Sequence, residues 1–260
     1  MRIATWNVNS LPARLPRLLE WLDLTKPDVV CMQETKIADD AFPEAQVGAL
    51  GYQAVHHGEG RWNGVAVLSR VGVDDVVRGI ADDPGFPDPS VVEARTVAVT
   101  CGPVRVRSVY VPNGRTPDDP HYQYKLRWLA ALRPVVAAEA SGPLPYALMG
   151  DFNVAPTDAD VWDPAAFVGA THVTPAERAA VAGLVADGLT DVKPHIVKGE
   201  PFTYWDYRAG MFHKGMGMRI DLVLANARMA GAVTDAWIDR EARKGKGPSD
   251  HAPVVLDLDL

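Results

Sequence analysis

Ten polar residues stand at or just beyond the ends of apolar runs: Asn7, Asn9, Glu34, Tyr110, Asn113, Asp151, Asn153, Asp221, Asp250 and His251. Core strands have no structural need to end repeatedly in carboxylates and amides, so the pattern favours one shared functional rim over separate caps. The run from Pro145 stops in Gly150-Asp-Phe-Asn153. A carboxylate and an amide two residues apart on a strand tip place a proton-transferring oxygen beside an uncharged donor and acceptor, which suits attack on a phosphate ester. The plainer alternative is an Asx turn. Ser249-Asp-His251 adds an imidazole, with Asp250 and Asp221 as candidate partners for its ring. Glu34 with neighbouring carboxylate and amide oxygens suits Mg²⁺, a hard cation that keeps several waters and takes few protein ligands. The cysteine and histidine spacing of a zinc site is absent.

Strands must carry these side chains, and the chain supplies them. Residues 2–8 alternate as a strand, and Leu15, Leu18, Leu19 and Leu22 follow at helical spacing. Residues 27–34 form a buried strand that starts after a proline and ends in a carboxylate, as residues 145–151 do. The echo hints at two similar half-sheets delivering acidic tips to one rim. Further strands are expected at 53–57, 65–69, 73–79, 93–100, 104–110, 202–205, 219–224, 229–238 and 254–258. Asp119-Pro120 opens a helix through about residue 132, and Thr174-Pro-Ala-Glu177 is a capping box for another that Gly188 closes. Short strands with few helices and no regular βαβ alternation predict an α+β protein of packed sheets covered by helices.

The chain of 260 residues has no linker or low-complexity tract, and 47% hydrophobic residues can furnish one core, so a single domain over 1–260 is expected. No apolar run approaches the roughly 20 residues of a membrane span and no signal-peptide pattern opens the chain, which predicts a soluble cytoplasmic protein. A net charge of −7 argues against nucleic-acid binding by bulk positive charge. It leaves room for a local basic rim. Arg240, Arg243, Lys244 and Lys246 face only Glu241 just before the Ser-Asp-His segment, and either serve the neighbouring polar cluster, with Arg243, Lys244 and Lys246 on the charge of a substrate, or form a solvated face.

Trp6-Asn-Val-Asn-Ser10, Pro27 to Lys36, Tyr110-Val-Pro-Asn113, Gly150-Asp-Phe-Asn-Val154, Arg219-Ile-Asp221 and Ser249-Asp-His251 together resemble, in order, the motifs of the exonuclease III family of abasic-site DNA endonucleases. The resemblance spans essentially the whole chain. It implies a four-layer α/β/β/α sandwich, two mixed β-sheets packed face to face with helices outside, and a site along one edge of the sheets. Carried over, it makes Glu34 the principal Mg²⁺ ligand, with Asn9 nearby and Asp250 a contributor, and Mn²⁺ as the other candidate metal. Asp151 would handle the proton of the attacking water or leaving oxygen. Asn7, Asn153 and His251 would hold the scissile phosphate, Asp221 would orient His251, and Tyr110 would contact the phosphate. Asn113 and Arg115 would bind substrate, and Tyr204, Trp205, Met218 and Ile220 would line the pocket for an extruded sugar.

Two segments depart from the family's pattern. Asp191-Val-Lys-Pro-His195 lacks the usual aromatic-Arg pair, and Lys214 to Met218 lacks the usual asparagine, with Met218 where some relatives place a tryptophan. Met218 either walls the sugar pocket or points into the core, leaving the wall to Tyr204 or Trp205. The implied activity is cleavage of double-stranded DNA 5′ to abasic sites and at 3′ ends, by a monomer. A superfamily phosphodiesterase acting on a non-DNA phosphate ester and a catalytically dead DNA-binding module are the alternatives.

Overall fold

Strand β1 (Arg2–Asn7) sends Ile3 into one apolar cluster and Ala4 and Trp6 into another, so both of its faces are covered. The same holds along the chain, because alternate residues of each central strand feed different cores. The computed structural model describes residues Met1–Leu260. After β1 come β2 (Val29–Gln33), β3 (Gln53–His57), β4 (Val65–Ser69), β5 (Asp74–Arg78), β6 (Thr96–Cys101), β7 (Val104–Tyr110) and β8 (Tyr146–Asp151). Then follow β9 (Thr190–Asp191), β10 (Asp221–Ala225), β11 (Val233–Ile238) and β12 (Val254–Leu258). The helices are α1 (Leu11–Thr25), α2 (Glu44–Gly48), α3 (Pro120–Ala140), α4 (Pro175–Ala186), α5 (Met211–Lys214) and α6 (Ala227–Ala232).

Two six-stranded sheets result, ordered β11-β12-β1-β2-β4-β3 and β5-β6-β7-β8-β10-β9. Each contains one parallel pair, β1 with β2 and β7 with β8, bridged by α1 and α3 respectively. The echo in the sequence is therefore two strand-helix-strand units, one per sheet. Ile3, Val29 and Val67 meet Val99, Val106 and Met149 between the sheets. Leu18, Trp21 and Leu22 of α1 cover Val30 and Met32, while Trp128 and Leu132 of α3 and Leu184 of α4 cover Leu148, Leu222 and Leu224. This is the expected four-layer sandwich.

Because both faces of a central strand are apolar, polarity does not fix its register, and buried polar groups do that instead. Gln33 Nε2 donates to Thr5 Oγ1 on β1 and to Ser108 Oγ on β7, each at 3.0 Å, and so ties the sheets together directly beneath the site. A slip of one residue would leave these groups unpaired, at about 1–3 kcal/mol each. Gly150 is required at this junction, since a Cβ there would lie 2.0 Å from the Val109 carbonyl oxygen.

Three expected elements differ. Residues 202–205 form no strand: Tyr204 makes only isolated bridges to Met218 and His251, and the Thr203 hydroxyl accepts from the Ile220 and Asp221 N–H groups. Residues 229–238 split, because Asn226 accepts from the Met229 N–H and caps α6 before β11 begins. Helix α3 runs past residue 132 and through Pro134 to Ala140, held by Val136 in the outer core. Packing outweighs the hydrogen bond that Pro134 removes. No helix is long and apolar enough to cross a membrane.

Candidate active site

The two parallel pairs bring four polar residues to one edge: Asn7 and Tyr110 end β1 and β7, Asp151 ends β8, and Glu34 follows β2. Asn7 joins the sheets. Its Nδ2 donates to Glu34 Oε1 at 2.8 Å and to Asp151 Oδ2 at 2.9 Å, and its Oδ1 accepts from the Asn9 N–H. Glu34 adopts a φ of 51°, a left-handed conformation that costs an ordinary residue about 1–2 kcal/mol. The Ser10 N–H bonded to its carbonyl and the Thr35 N–H bonded to Gly64 hold the turn. Local strain of this kind gathers at functional sites.

Asp151 Oδ1 accepts from the Asn153 N–H at 2.8 Å, so the Asx turn is present, while Oδ2 faces the cluster. Asn153 takes a φ of 49°, tolerable for asparagine, and its side chain is fixed by the Val111 carbonyl and by Asn113 Nδ2. Asp221 pairs with Asp151 across β10 and β8. Like charges opposite one another destabilise a sheet. His251 relieves this: Nδ1 lies 2.8 Å from Asp221 Oδ2 and Nε2 lies 3.8 Å from Asp151 Oδ2. Ser249 anchors the histidine loop by donating to the Asn7 carbonyl and accepting from the His251 N–H.

Burial would suppress the His251 imidazolium, but Asp221, with Asp151 and Asp250, reverses this and raises its pKa to about 10. Burial pushes the Asp151 carboxyl up to about 7; His251 works against the rise, and Asp221 and Glu34 add to it. Burial also opposes charge on Glu34, yet Lys36 and Asn7 hold that carboxyl below its usual range. Burial and the nearby carboxylates keep Tyr110 well above the ordinary phenol range, hence neutral and able to donate.

Ligand atoms of Glu34, Asp151 and His251 lie within 4.8 Å of one another, close enough to surround one ion. His251 is a poor member of that set, because an imidazolium held by Asp221 has no free lone pair. Oxygen donors fit better. Glu34 Oε2 and Asn9 Oδ1 already converge on one cation, the Lys36 ammonium, at 2.7 and 2.6 Å, and Asp250 Oδ1 accepts from Asn9 Nδ2 at 3.0 Å. A carboxylate-and-amide set of this kind fits a hard divalent cation.

A cleft of about 450 Å³ opens over these groups, lined by all of the expected site residues except Asn7, Asp221, Arg115 and Trp205. Asp221 acts from beneath, through His251. Asn7 is corrected from phosphate holder to a strut, since it is fully buried and both of its amide protons are spent on carboxylates. Trp205 is corrected to core: it is 1% exposed between the sheets and stacks edge-on against Phe212. Arg115 lies outside the cleft lining, on the surface, where it faces Asp119 at 3.6 Å. Met218 does line the cleft, packed with Ile220, Val161 and Tyr204. Tyr204 also lies against the His251 ring, with centroids 4.9 Å apart. The basic run is corrected in part, because Arg243 is buried and donates to the Ser249 and Trp205 carbonyls, leaving only Lys244 and Lys246 exposed.

Lys36, Trp162, Phe167, His172, Arg208 and Met211 also line the cleft, and none of them stands out as a site residue in the sequence. Only Lys36 carries a signal there, its place two residues after Glu34. His172 is neutral, lowered to about 4 by burial and Lys125, and its ring meets the Asn153 carbonyl at 2.6 Å.

Two face-to-face mixed sheets with a carboxylate, amide and imidazole cluster along one edge define a phosphoesterase class. Residues 4–251 match the pattern of the endonuclease/exonuclease/phosphatase family, and the chain belongs to that family. It is similar to exodeoxyribonuclease III of Haemophilus influenzae, 30% identical over 99% of this chain and 100% of that one. Among solved structures it is similar to the 3′-5′ exonuclease of Neisseria meningitidis, at 40% identity and a TM-score of 0.94, with all of both chains covered. An AP endonuclease from Archaeoglobus fulgidus is similar at 35% identity and a TM-score of 0.93, again over all of both chains.

Proposed function

We propose that this chain is a Mg²⁺- or Mn²⁺-dependent DNA phosphodiesterase of base excision repair that cuts duplex DNA 5′ to abasic sites and processes 3′ ends, acting as a cytoplasmic monomer of one domain. The observation that carries the reading is Asp151, an end-of-strand carboxyl with a pKa pushed by burial to about 7, set 3.8 Å from an imidazole that Asp221 favours in its charged form, at the floor of an open cleft. A group poised near neutrality both accepts and returns a proton efficiently. Asp151 takes the proton of the attacking water or supplies it to the leaving oxygen. His251, Asn153 and Tyr110 present donors to the phosphate oxygens on which negative charge grows, and fixed donors in a buried site stabilise such charge strongly. Asp221 keeps His251 charged and oriented, and Asn7 fixes the spacing of Glu34 and Asp151. A divalent cation held by Glu34, with Asn9 and Asp250, would neutralise phosphate charge and polarise the scissile bond. Tyr204, Met218 and Ile220 form an apolar wall suited to a sugar without its base.

The DNA relatives of similar full length favour this reading over a non-DNA phosphate ester, and the intact polar cluster favours it over an inactive binding module. Its test compares cleavage of an abasic duplex, an undamaged 3′ end and a small phosphodiester, each with the metal and with a chelator. Metal-dependent cutting of either DNA supports the reading; turnover of the small ester alone overturns it.

A further inference from the structure

Lys125 lies on α3, outside the cleft lining, and its side chain has no solvent exposure. An ammonium has three protons to give. Here all three are spent: Nζ donates to the Asn153 carbonyl at 2.6 Å, to the Asn113 carbonyl at 3.2 Å and to Glu177 Oε1 at 2.5 Å. Glu177, equally buried, extends the hub. Its Oε1 also accepts from the Thr171 hydroxyl and the His172 N–H, and its Oε2 accepts from the Thr174 N–H and hydroxyl to cap α4. The single Thr171 hydroxyl proton is shared with the Asn113 carbonyl, the longer of its two contacts at 3.1 Å.

Three loops therefore hang on one ion pair, and each presents a side chain to the cleft: Asn113, Asn153 and His172. Two of them take left-handed backbone, φ 49° at Asn153 and φ 77° at His172, a region that asparagine and histidine enter more readily than most residues and that the hub's hydrogen bonds hold in place. A helix cap on α4 alone needs only the Glu177 and Thr174 hydrogen bonds. A charge pair with no exposed edge is weak as a source of stability, because desolvating both ions offsets their attraction. Its three-way geometry suits it to fixing positions.

We infer that Lys125, held by Glu177, is a positioning residue for the reaction, setting the Asn153 and Asn113 loops at the distance from Asp151 that the phosphate requires. This rests on the proposed role of Asn153 at the phosphate. A displacement of about 1 Å at a reacting group slows a reaction by about 10²-fold.

The test is the single-turnover rate constant on bound abasic or 3′-end DNA, whichever the wild type cleaves, with enzyme in excess. Loss of folded protein lowers the active concentration and leaves the rate constant at saturation unchanged, whereas misplaced loops lower it. In Lys125→Met/Glu177→Gln both charges leave the interior together. The new amide oxygen still accepts from the Thr171 and His172 groups, its NH2 no longer accepts from the Thr174 N–H that caps α4, and the bonds to the Asn113 and Asn153 carbonyls disappear. The rate constant is expected to fall roughly tenfold or more, with DNA affinity within about threefold of wild type. Thr171→Val, a change of one hydroxyl, should slow it by about threefold through the Asn113 loop. A rate constant within twofold of wild type in the pair, or in Thr171→Val where the pair does not fold, overturns the inference. Asn153→Ala separates this from the parent reading: if that variant reacts at the wild-type rate, the role of Asn153 fails, and if it is slow while the pair is not, only the positioning role fails.

Discussion

Asp151 and Asp221 are paired directly across β8 and β10, two buried carboxylates on adjacent strands with the His251 ring between them. The arrangement is sustained by the imidazolium charge, so it predicts its own pH behaviour. A histidine whose folded pKa is raised contributes stability that is fully present below its unfolded pKa, about 6.5, and is lost as pH rises through the folded value of about 10. Asp221→Asn removes the main charge that overcomes burial, so the His251 titration should move down from about 10 and the alkaline loss of stability should begin at lower pH. An NMR titration of the metal-free protein checks this. An unmoved His251 midpoint would show that Asp221 does not set its charge.

Glu34→Gln should weaken divalent-metal binding roughly tenfold or more and lower turnover in parallel, with partial recovery at high metal concentration, since one anionic oxygen is lost while the amide still accepts from Asn7. Calorimetric titration of the metal reads the affinity directly. An isotherm matching wild type would move the principal ligand elsewhere.

The basic segment before Ser249 divides into two experiments. Lys244→Ala/Lys246→Ala should raise KM for DNA and reduce the log–log salt slope by about 0.9 for each phosphate no longer neutralised. Arg243→Ala should leave that slope alone and lower the melting temperature, because the Ser249 and Trp205 carbonyls it bonds are orphaned at about 1–3 kcal/mol each. An unchanged salt slope in the double lysine variant would make both lysines a solvated face.

How much of this was legible in the chain depended on whether a residue's role was local. The strand ends at Asn7, Glu34, Tyr110 and Asp151 could be read because an apolar run that stops in a polar residue shows in a window of a few positions. The capping box at Thr174 was local for the same reason, and the structure forms it. The partners of those ends were not legible. Asn7 is spent on two carboxylates from two sheets, and Arg243 looks exposed until the loop folds back over it. Glu177 could be read as a cap, but its pairing with Lys125, 52 positions away, shows in neither residue alone. Trp205 failed for a different reason: an aromatic beside Tyr204 suits a wall or a core equally, and only the packing against Phe212 decides.

Met218 faces the cleft beside Tyr204 and Ile220, and methionine is an adaptable wall where an indole would be rigid. The chain should therefore discriminate less sharply between abasic and intact nucleotides, with relatively more exonuclease activity on undamaged 3′ ends. Met218→Trp should change the ratio of kcat/KM for an abasic duplex to that for an undamaged 3′ end by a factor equivalent to ~1 kcal/mol or more. A ratio constant within about twofold would take Met218 out of substrate selection.

The proton-handling role of Asp151 is the centre of the account, and Asp151→Asn isolates it. The amide keeps the size of the side chain and an acceptor for the Asn153 N–H, gives up the oxygen that accepts from Asn7, and cannot take up and return a proton. Binding and single-turnover cleavage should be measured together on the DNA substrate that the wild type cuts, with saturating metal. The account predicts DNA affinity within a few-fold of wild type and a cleavage rate lower by about 10²-fold or more, the usual worth of a positioned general acid or base. Cleavage at a tenth of the wild-type rate or faster would contradict it.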